Sequence, residues 1–174
     1  MATFSSDTVF KLKALGIYQL IFAITGLGVT VWLFLQEGFQ FPQITIVFIV
    51  VILMYLFAIY CGILCFQTKE KCLWYSSINQ HLQLVSFSIV GYGFRYDSGL
   101  SVNLGVDLTT GFALRLKLEI LSFWHIDFNS HSDVILVNLN LVAFAVIIIM
   151  DQIKKQMNHE IEEELLTIGQ EMSK

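Results

Sequence analysis

Near residue 130, four side chains have the chemistry of metal ligands. His125, Asp127, His131 and Asp133 bring two imidazoles and two carboxylates together within nine residues. Nitrogen and oxygen donors of this kind suit zinc and other divalent transition ions. The alternation of the neighbouring residues, however, puts His125 and Asp127 on the wet face of a strand and the other two in the turn that follows. The pattern favours a solvated polar rim, and we expect no bound metal or other cofactor.

Three cysteines are the remaining candidates for redox or metal chemistry. Cys61 and Cys65 are one helical turn apart, and Cys72 follows them. An odd number of cysteines without paired spacing argues against a disulfide framework, and no fourth metal ligand lies near them in sequence. We expect reduced thiols that pack in the protein interior.

The sequence carries none of the motifs that mark the common enzyme classes. GxSxG, P-loop and HExxH patterns are absent. One histidine, His81, could pass protons if its helix crosses a membrane, although hydrogen bonding to neighbours is the commoner role of such a residue. We therefore expect a protein that is not an enzyme.

The elements that would position these side chains are mostly apolar. The 174 residues are 56% hydrophobic and 14% charged, and the mean hydropathy is +0.70. Values of this kind are typical of polytopic membrane proteins. The ten Lys and Arg residues are scattered in ones and twos, so direct binding of nucleic acid is not expected.

Two uncharged stretches predict a transmembrane hairpin over residues 14–66. Ile44 to Phe66 has no charged residue and no proline, and as a helix it would be roughly 34 Å long, enough to cross a bilayer. Ala14 to Leu35 is a second span, and a short connector joins the two. Lysines flank the hairpin at its two chain ends, so the positive-inside rule predicts that residues 1–13 are cytoplasmic.

Residues 73–93 have the spacing of an amphipathic helix. Apolar side chains recur every three or four residues, and a polar stripe occupies another face. This helix either crosses the bilayer with the stripe facing a helix-lined interior, which we favour, or lies along the cytoplasmic interface. The stripe supplies the candidate pore-lining residues Ser76, Asn79, Gln80 and Gln83.

Period-two alternation identifies residues 94–129 as β-structure. The even-numbered residues from Phe94 to Phe128 are mostly apolar, and many odd-numbered ones are polar or charged. Turn-forming residues at Asp97-Ser98-Gly99 and Thr109-Thr110-Gly111 predict a small three-stranded antiparallel meander. Its apolar face must be covered by lipid, by the chain's own helices or by neighbouring copies.

Residues 134–150 form a shorter apolar run that could cross the membrane as the last span. This run contains Asn138, a further candidate for pore lining. Residues 151–174 follow as an acidic tail in which apolar residues recur every three or four positions, which predicts an amphipathic helix. Its candidate partner-binding residues combine an acidic run with an apolar stripe: Ile161, Glu162, Glu163, Glu164, Leu165 and Ile168.

Taken in order, these segments predict a mainly α membrane protein. The predicted fold is a four-helix transmembrane bundle, or a three-helix one if residues 73–93 do not cross. A small three-stranded β meander is inserted before the last span, and an amphipathic helix ends the chain. Four crossings put the C-terminus in the cytoplasm, whereas three put it outside. We favour four, because the lysine pair at the exit of the last span then obeys the positive-inside rule.

The hairpin Ala14 to Phe66 and the tail Asp151 to Lys174 give the chain a recognisable architecture. It resembles the membrane subunits of bacterial antiphage systems, most nearly that of the Kiwa system. The multi-span accessory proteins of type VI-B CRISPR systems are a second resemblance. The Kiwa likeness rests on architecture and on no specific motif. It implies an oligomeric sensor of membrane perturbation that engages a cytoplasmic effector.

Two functions follow as hypotheses. The first is a homo-oligomeric, non-enzymatic sensor or scaffold in antiphage defence, which lies in the bacterial inner membrane as the resemblance implies and whose tail binds a cytoplasmic effector protein. The alternative is an oligomeric membrane pore or channel lined by the polar face of the third helix. The expected partners are further copies of the chain, membrane lipid and the cytoplasmic effector.

Overall fold

The computed structural model describes residues 4–37, 42–69, 71–128 and 133–172. Positions 1–3 of the predicted N-terminal segment, Asn129, His131 and the last two residues of the predicted tail lie outside these ranges. Within them the chain forms four helices and six strands. In order, these are α1 (Ser6–Glu37), α2 (Pro42–Phe66), α3 (Cys72–Leu84), β1 (Val85–Ile89), β2 (Tyr92–Asp97), β3 (Ser101–Asp107), β4 (Ala113–Glu119), β5 (Phe123–Asp127), β6 (Ile135–Asn140) and α4 (Leu141–Met172).

Two of the described helices are long and apolar enough to cross a membrane. They are α1 over Ser6–Gln36, with a mean hydropathy of 1.8, and α2 over Thr45–Phe66, with a mean hydropathy of 2.9. The two helices pack as an antiparallel hairpin in which Gly16 faces Gly62. A Cβ atom on Gly16 would lie only 2.7 Å from the Gly62 carbonyl oxygen, so the backbones approach closely at this point.

The predicted four-helix transmembrane bundle is wrong. Helix α3 has 13 residues and is about 20 Å long, which is short of the roughly 30 Å of a bilayer core. The chain leaves the helix at Val85 in an extended conformation and pairs as β1. The predicted last span, residues 134–150, is likewise divided between β6 and the start of α4. Neither segment is therefore a continuous spanning helix.

The predicted three-stranded meander is also wrong, because six strands form one antiparallel sheet. The strand order is β4-β3-β6-β1-β2-β5, so β6 pairs with both β3 and β1 at the centre. The hairpin of β3 and β4 places Val102 opposite Leu118 and Leu104 opposite Leu116. Directly paired residues share a face of an antiparallel sheet, so the even-numbered apolar residues form one surface.

The sheet curls strongly toward its polar face. Arg95 on β2 forms an ion pair with Glu119 on β4, although three strands lie between them in the sheet. A flat sheet would separate these strands by roughly 19 Å, because neighbouring strands are about 4.8 Å apart. The two edge strands also approach each other, since the Lys117 ammonium lies 5.6 Å from the centre of the Phe123 ring. The six strands therefore form an open, barrel-like half-shell.

The polarity of this shell is the reverse of that in a water-soluble sheet. On the concave face, Ser101, Asn103 and Asp107 are buried, with exposures of 0, 3 and 6%. On the convex face of β4, Leu114, Leu116 and Leu118 are 63 to 71% exposed. Buried polar groups and exposed apolar ones are the arrangement that lipid-facing β-structure requires.

One side of the convex face packs against the α1–α2 hairpin. The Tyr96 ring lies 5.2 Å from the Tyr55 ring, and Trp124 Nε1 donates a hydrogen bond to Thr30 Oγ1 at 3.0 Å. Ser122 Oγ, in the connection between β4 and β5, donates to the Phe22 carbonyl oxygen at 2.7 Å. The sheet thus lies alongside the two apolar helices and not beyond their ends.

The close approach at Gly16 gives a stability prediction. We expect Gly16→Ala to lower the free energy of unfolding by about 1 to 3 kcal/mol, because the added methyl group meets backbone atoms that cannot move away. Thermal unfolding in detergent measures this change. Gly28→Ala is the matched control on the same helix, since a Cβ there has no neighbour within 4 Å. Equal melting temperatures for the two variants would contradict the packing.

Candidate functional site

The polar stripe of α3 lies inside the protein. Ser76, Asn79, Gln80 and Gln83 are 0, 1, 2 and 5% exposed. Ser76 Oγ donates to Gln19 Oε1 at 3.1 Å and lies 3.2 Å from Cys65 Sγ. The stripe faces α1 and α2 of its own chain, so in this packing it does not face an axis shared between copies. The four residues are thus buried between helices of one chain, and the lining of a pore between copies stays a prediction.

The stripe continues into the concave face of the sheet. Gln83 Oε1 accepts a hydrogen bond from the Ser98 backbone nitrogen at 2.9 Å, and Ser98 follows directly after β2. The fifth pore-lining candidate, Asn138, lies on the concave face, where its Nδ2 donates to Ser86 Oγ at 3.1 Å. All five candidates therefore face one polar interior within a single chain.

The centre of the concave face is an ionic network that the sequence analysis did not single out. Arg95 Nε donates to Asp97 Oδ2 at 2.8 Å, and the same guanidinium contacts Glu119. Lys117 Nζ lies 2.8 Å from the other Glu119 oxygen. The alternation of odd-numbered polar residues was the available signal, because it assigns these residues to one face. No local pattern in the sequence indicates the curl of the sheet that brings β2 close to β4.

Asn140 connects this network to α4. Its Nδ2 donates to Asp97 Oδ1 at 3.0 Å, while its Oδ1 accepts from the backbone nitrogens of Val142 and Ala143 at 3.0 and 3.2 Å. An asparagine side chain that accepts these bonds caps the helix N-terminus. The buried carboxylate of Asp97 thus holds the side chain that caps the first turn of α4.

The candidate metal ligands are only partly brought together. His125 Nε2 lies 2.7 Å from Asp127 Oδ2 at the rim of the concave face, and Asp133 is exposed. His131 lies outside the described residues. Among the residues that the structure describes, no group of three or more His, Cys, Asp or Glu side chains is placed to hold a metal ion. The geometry fits a polar rim.

The cysteines and His81 occupy structural positions. Cys61, Cys65 and Cys72 are free thiols and are buried. His81 is exposed, with Nδ1 2.7 Å from the carbonyl oxygen of Ser77 on its own helix. It therefore points away from the polar stripe, and the proton path considered for it is not formed through the interior.

A carboxylate of α4 fastens the tail to the start of α1. Glu160 Oε1 accepts from Ser5 Oγ at 2.6 Å and from Thr8 Oγ1 at 2.8 Å, and Glu160 Oε2 accepts from the Ser5 nitrogen at 3.1 Å. Gln156 adds a further bond at 3.2 Å. A negative charge at a helix N-terminus is also favoured by the helix dipole. We call Ser5, Thr8, Gln156 and Glu160 the tail latch.

The hydrogen bonds of the tail latch lower the pKa of Glu160. Desolvation of the carboxylate raises its pKa, but the hydrogen bonds from Ser5, Thr8 and Gln156 outweigh that effect, so the pKa of Glu160 lies below its usual value of 4.5. The latch therefore favours the folded chain at pH values above 4.5, and its contribution is lost as the pH falls through the lowered pKa.

Beyond the latch, α4 continues to Met172 with much of its surface exposed. Of the candidate partner-binding residues, Ile161 and Glu164 are half-buried, Glu162 and Glu163 are exposed, and Leu165 and Ile168 are 63 and 46% exposed. Leu166, which the sequence analysis left out, is 68% exposed. Acidic and apolar side chains therefore lie together on a projecting helical end.

The comparisons with known proteins identify no relative. No protein-family model, no curated protein and no solved structure matches this chain.

The latch yields a prediction about the tail. We expect Glu160→Gln to weaken the attachment of the tail by on the order of 1 kcal/mol, because the amide replaces an ionised acceptor of several bonds. Faster hydrogen exchange of the backbone amides of residues 161–172 would show that the tail is attached more weakly. Acidification through the lowered pKa of Glu160 should reproduce it in the parent chain and change the variant less.

Glu162→Gln is the control for this prediction, because Glu162 is exposed on the same helix. It should leave both the exchange of the tail and its pH dependence unchanged. If Glu160→Gln behaves like Glu162→Gln, the latch does not hold the tail.

Proposed function

We propose that the protein is an oligomeric, multi-pass protein of the bacterial inner membrane that engages a cytoplasmic protein through the end of α4. In this proposal α1 and α2 span the bilayer, and the protein acts as a sensor or scaffold and not as an enzyme. The setting in antiphage defence stays a prediction of the architectural resemblance, which now rests on the hairpin and the tail alone.

The orientation is supported by the basic residues of the hairpin, and the tail latch extends it to α4. Lys11 and Lys13 precede the apolar part of α1, and Lys69 and Lys71 follow α2, so basic residues collect at one end of the hairpin. The tail latch joins Glu160 to Ser5 at this same end. In this proposal the start of α1 and the latched part of α4 therefore both lie on the cytoplasmic side.

Self-association is supported by the edge strand β4. The sheet contacts Phe22, Thr30 and Tyr55 in the middle of the two apolar helices, so it lies at the depth of the bilayer core when these helices span. Within the described residues β4 pairs with β3 alone. Unpaired backbone groups of a strand are not tolerated in lipid, and a second copy can cover both this edge and the exposed leucines of β4.

The observation that carries the proposal is the projecting end of α4. One helix of 32 residues runs from the Asn140 cap at the sheet to the acidic, apolar tail. A change in the sheet or its lipid surroundings can therefore reach the tail through a single rigid element. The exposed Glu162 and Glu163 beside Leu165 and Leu166 suit a partner surface that is apolar and rimmed by basic residues.

Site-specific photo-crosslinking tests this proposal. A photo-reactive residue is placed at Leu166 and, as a control ahead of the latch, at Gln152, in cells that contain the natural genomic neighbours. We expect the Leu166 position alone to crosslink one cytoplasmic protein. Charge reversal at Glu162, Glu163 and Glu164 should reduce this crosslink at least about tenfold, because complementary charge sets the encounter rate and the register.

Asp151→Lys is the matched variant, because it reverses an exposed charge on the same helix before the latch. It should leave both the crosslink and membrane insertion unchanged. A crosslink that survives the triple reversal, or that forms equally from Gln152, would contradict a docking role for the tail.

A further inference from the structure

Several polar atoms deep in the chain have no hydrogen-bond partner among the described residues. They are Gln19 Nε2, Asn79 Nδ2, Asn79 Oδ1, Gln80 Nε2 and Ser98 Oγ, and their side chains are 1 to 2% exposed. An unpaired buried polar group costs about 1 to 3 kcal/mol. A cluster of such groups is the usual environment of bound water, which needs two to four polar contacts. The side chain of Asn79 alone offers two such contacts.

A series of neighbouring polar side chains joins these atoms to the concave face of the sheet. Asn79 and Gln80 lie one turn from Ser76 and one turn from Gln83, which reaches Ser98. Asp97, which precedes Ser98, accepts a hydrogen bond from Arg95, and Arg95 lines a cavity of about 360 Å³. Ten of the described residues line it: Ser86, Ser88, Arg95, His125, Asp127 and Asn138 are polar, and the other four are apolar. This cavity lies toward the ends of the strands that are remote from α3 and α4.

The opposite end of the polar interior is closed by apolar side chains. Leu12, Leu73, Met150, Ile153 and Met157 form a buried cluster with exposures of 0 to 6%. The cluster also contains Cys65, whose Sγ contacts Ser76 at the last polar position. We call this cluster the apolar plug. It separates the polar interior from the end of the hairpin where the tail latch lies.

The charges of the interior are paired. The Asp97, Asp107 and Glu119 side chains are 2, 9 and 17% exposed, and each contacts a basic group. Arg95 contacts Asp97 and Glu119, Arg115 contacts Asp107, and Lys117 contacts Glu119. Charged and hydrogen-bonding groups that line a cavity favour bound water over an empty space.

We propose that the polar interior is a hydrated cavity that opens on the side of the membrane opposite the N-terminus. It admits water and small ions as far as Ser76, and the apolar plug closes it toward the cytoplasm. Hydrophobic constrictions of this kind block ions by excluding water. The assignment rests on the membrane location proposed above.

Silver ions test this assignment, because they are small cations that react with thiols reached through water. Single cysteines are placed in a chain whose Cys61, Cys65 and Cys72 are replaced by alanine. The positions are Asn138→Cys in the cavity, Asn79→Cys in the interior, Leu73→Cys in the plug and Val137→Cys. Val137 is the matched control, because it neighbours Asn138 on the same strand but lies on the convex face. Asn79 loses no hydrogen bond of its side chain on substitution.

With silver applied from outside, we expect Asn138→Cys and Asn79→Cys to react at least about tenfold faster than Val137→Cys and Leu73→Cys, because only the first two face water. If both interior positions are as slow as Val137, the interior is dry and the inference fails while the membrane location stands. If Val137 reacts as fast as Asn138, the sheet lies in water, and the membrane location fails with the inference. Fast reaction at Leu73 would overturn the closed plug.

A second measurement needs no thiol chemistry. In a dry interior, Asn79→Leu removes two unpaired polar atoms and should raise the melting temperature of the full chain in detergent. In a hydrated interior it removes contacts with water and should lower the melting temperature. We expect a decrease, and an increase would overturn the inference.

Discussion

The pairing of β1 with β6 is the interaction on which the rest of the structure depends. β1 follows α3 without a break, and β6 leads directly into α4, so their register, with Val85 opposite Leu139, sets the two helices side by side. β6 also pairs with β3, and β1 also pairs with β2. Each half of the sheet is thus attached through this one pair of strands, and the polar interior forms beneath it.

The proposed position beside a membrane accounts for the polarity of the sheet. In water, the convex leucines of β4 would be driven together while the buried carboxylates would lose their solvation. In lipid the same arrangement is favourable, because the convex face meets hydrocarbon and the concave face keeps its own ion pairs and hydrogen bonds. The Asp97–Asn140 bond then couples the shell to α4, and the tail latch fixes where the end of that helix projects.

The hairpin of α1 and α2 could be predicted from the sequence, because an uncharged run of spanning length has few alternatives to a helix. Period-two alternation of apolar and polar residues indicated β-strands in residues 94–129. The same signal was present in Val85-Ser86-Phe87-Ser88-Ile89 and in Ile135 to Asn140, but flanking apolar residues at helical spacing obscured it. Which strands pair, and hence the burial of Ser76 and the meeting of Arg95 with Glu119, depends on contacts far apart in sequence that no local pattern encodes.

The position of the sheet relative to the bilayer is the central claim of this account. Cryo-electron microscopy of the full chain in lipid nanodiscs tests it most directly. The account predicts that the six strands lie within the lipid belt beside α1 and α2, with the convex face against lipid or another copy. A sheet that stands in solvent beyond the belt, with its convex face wet, would contradict it.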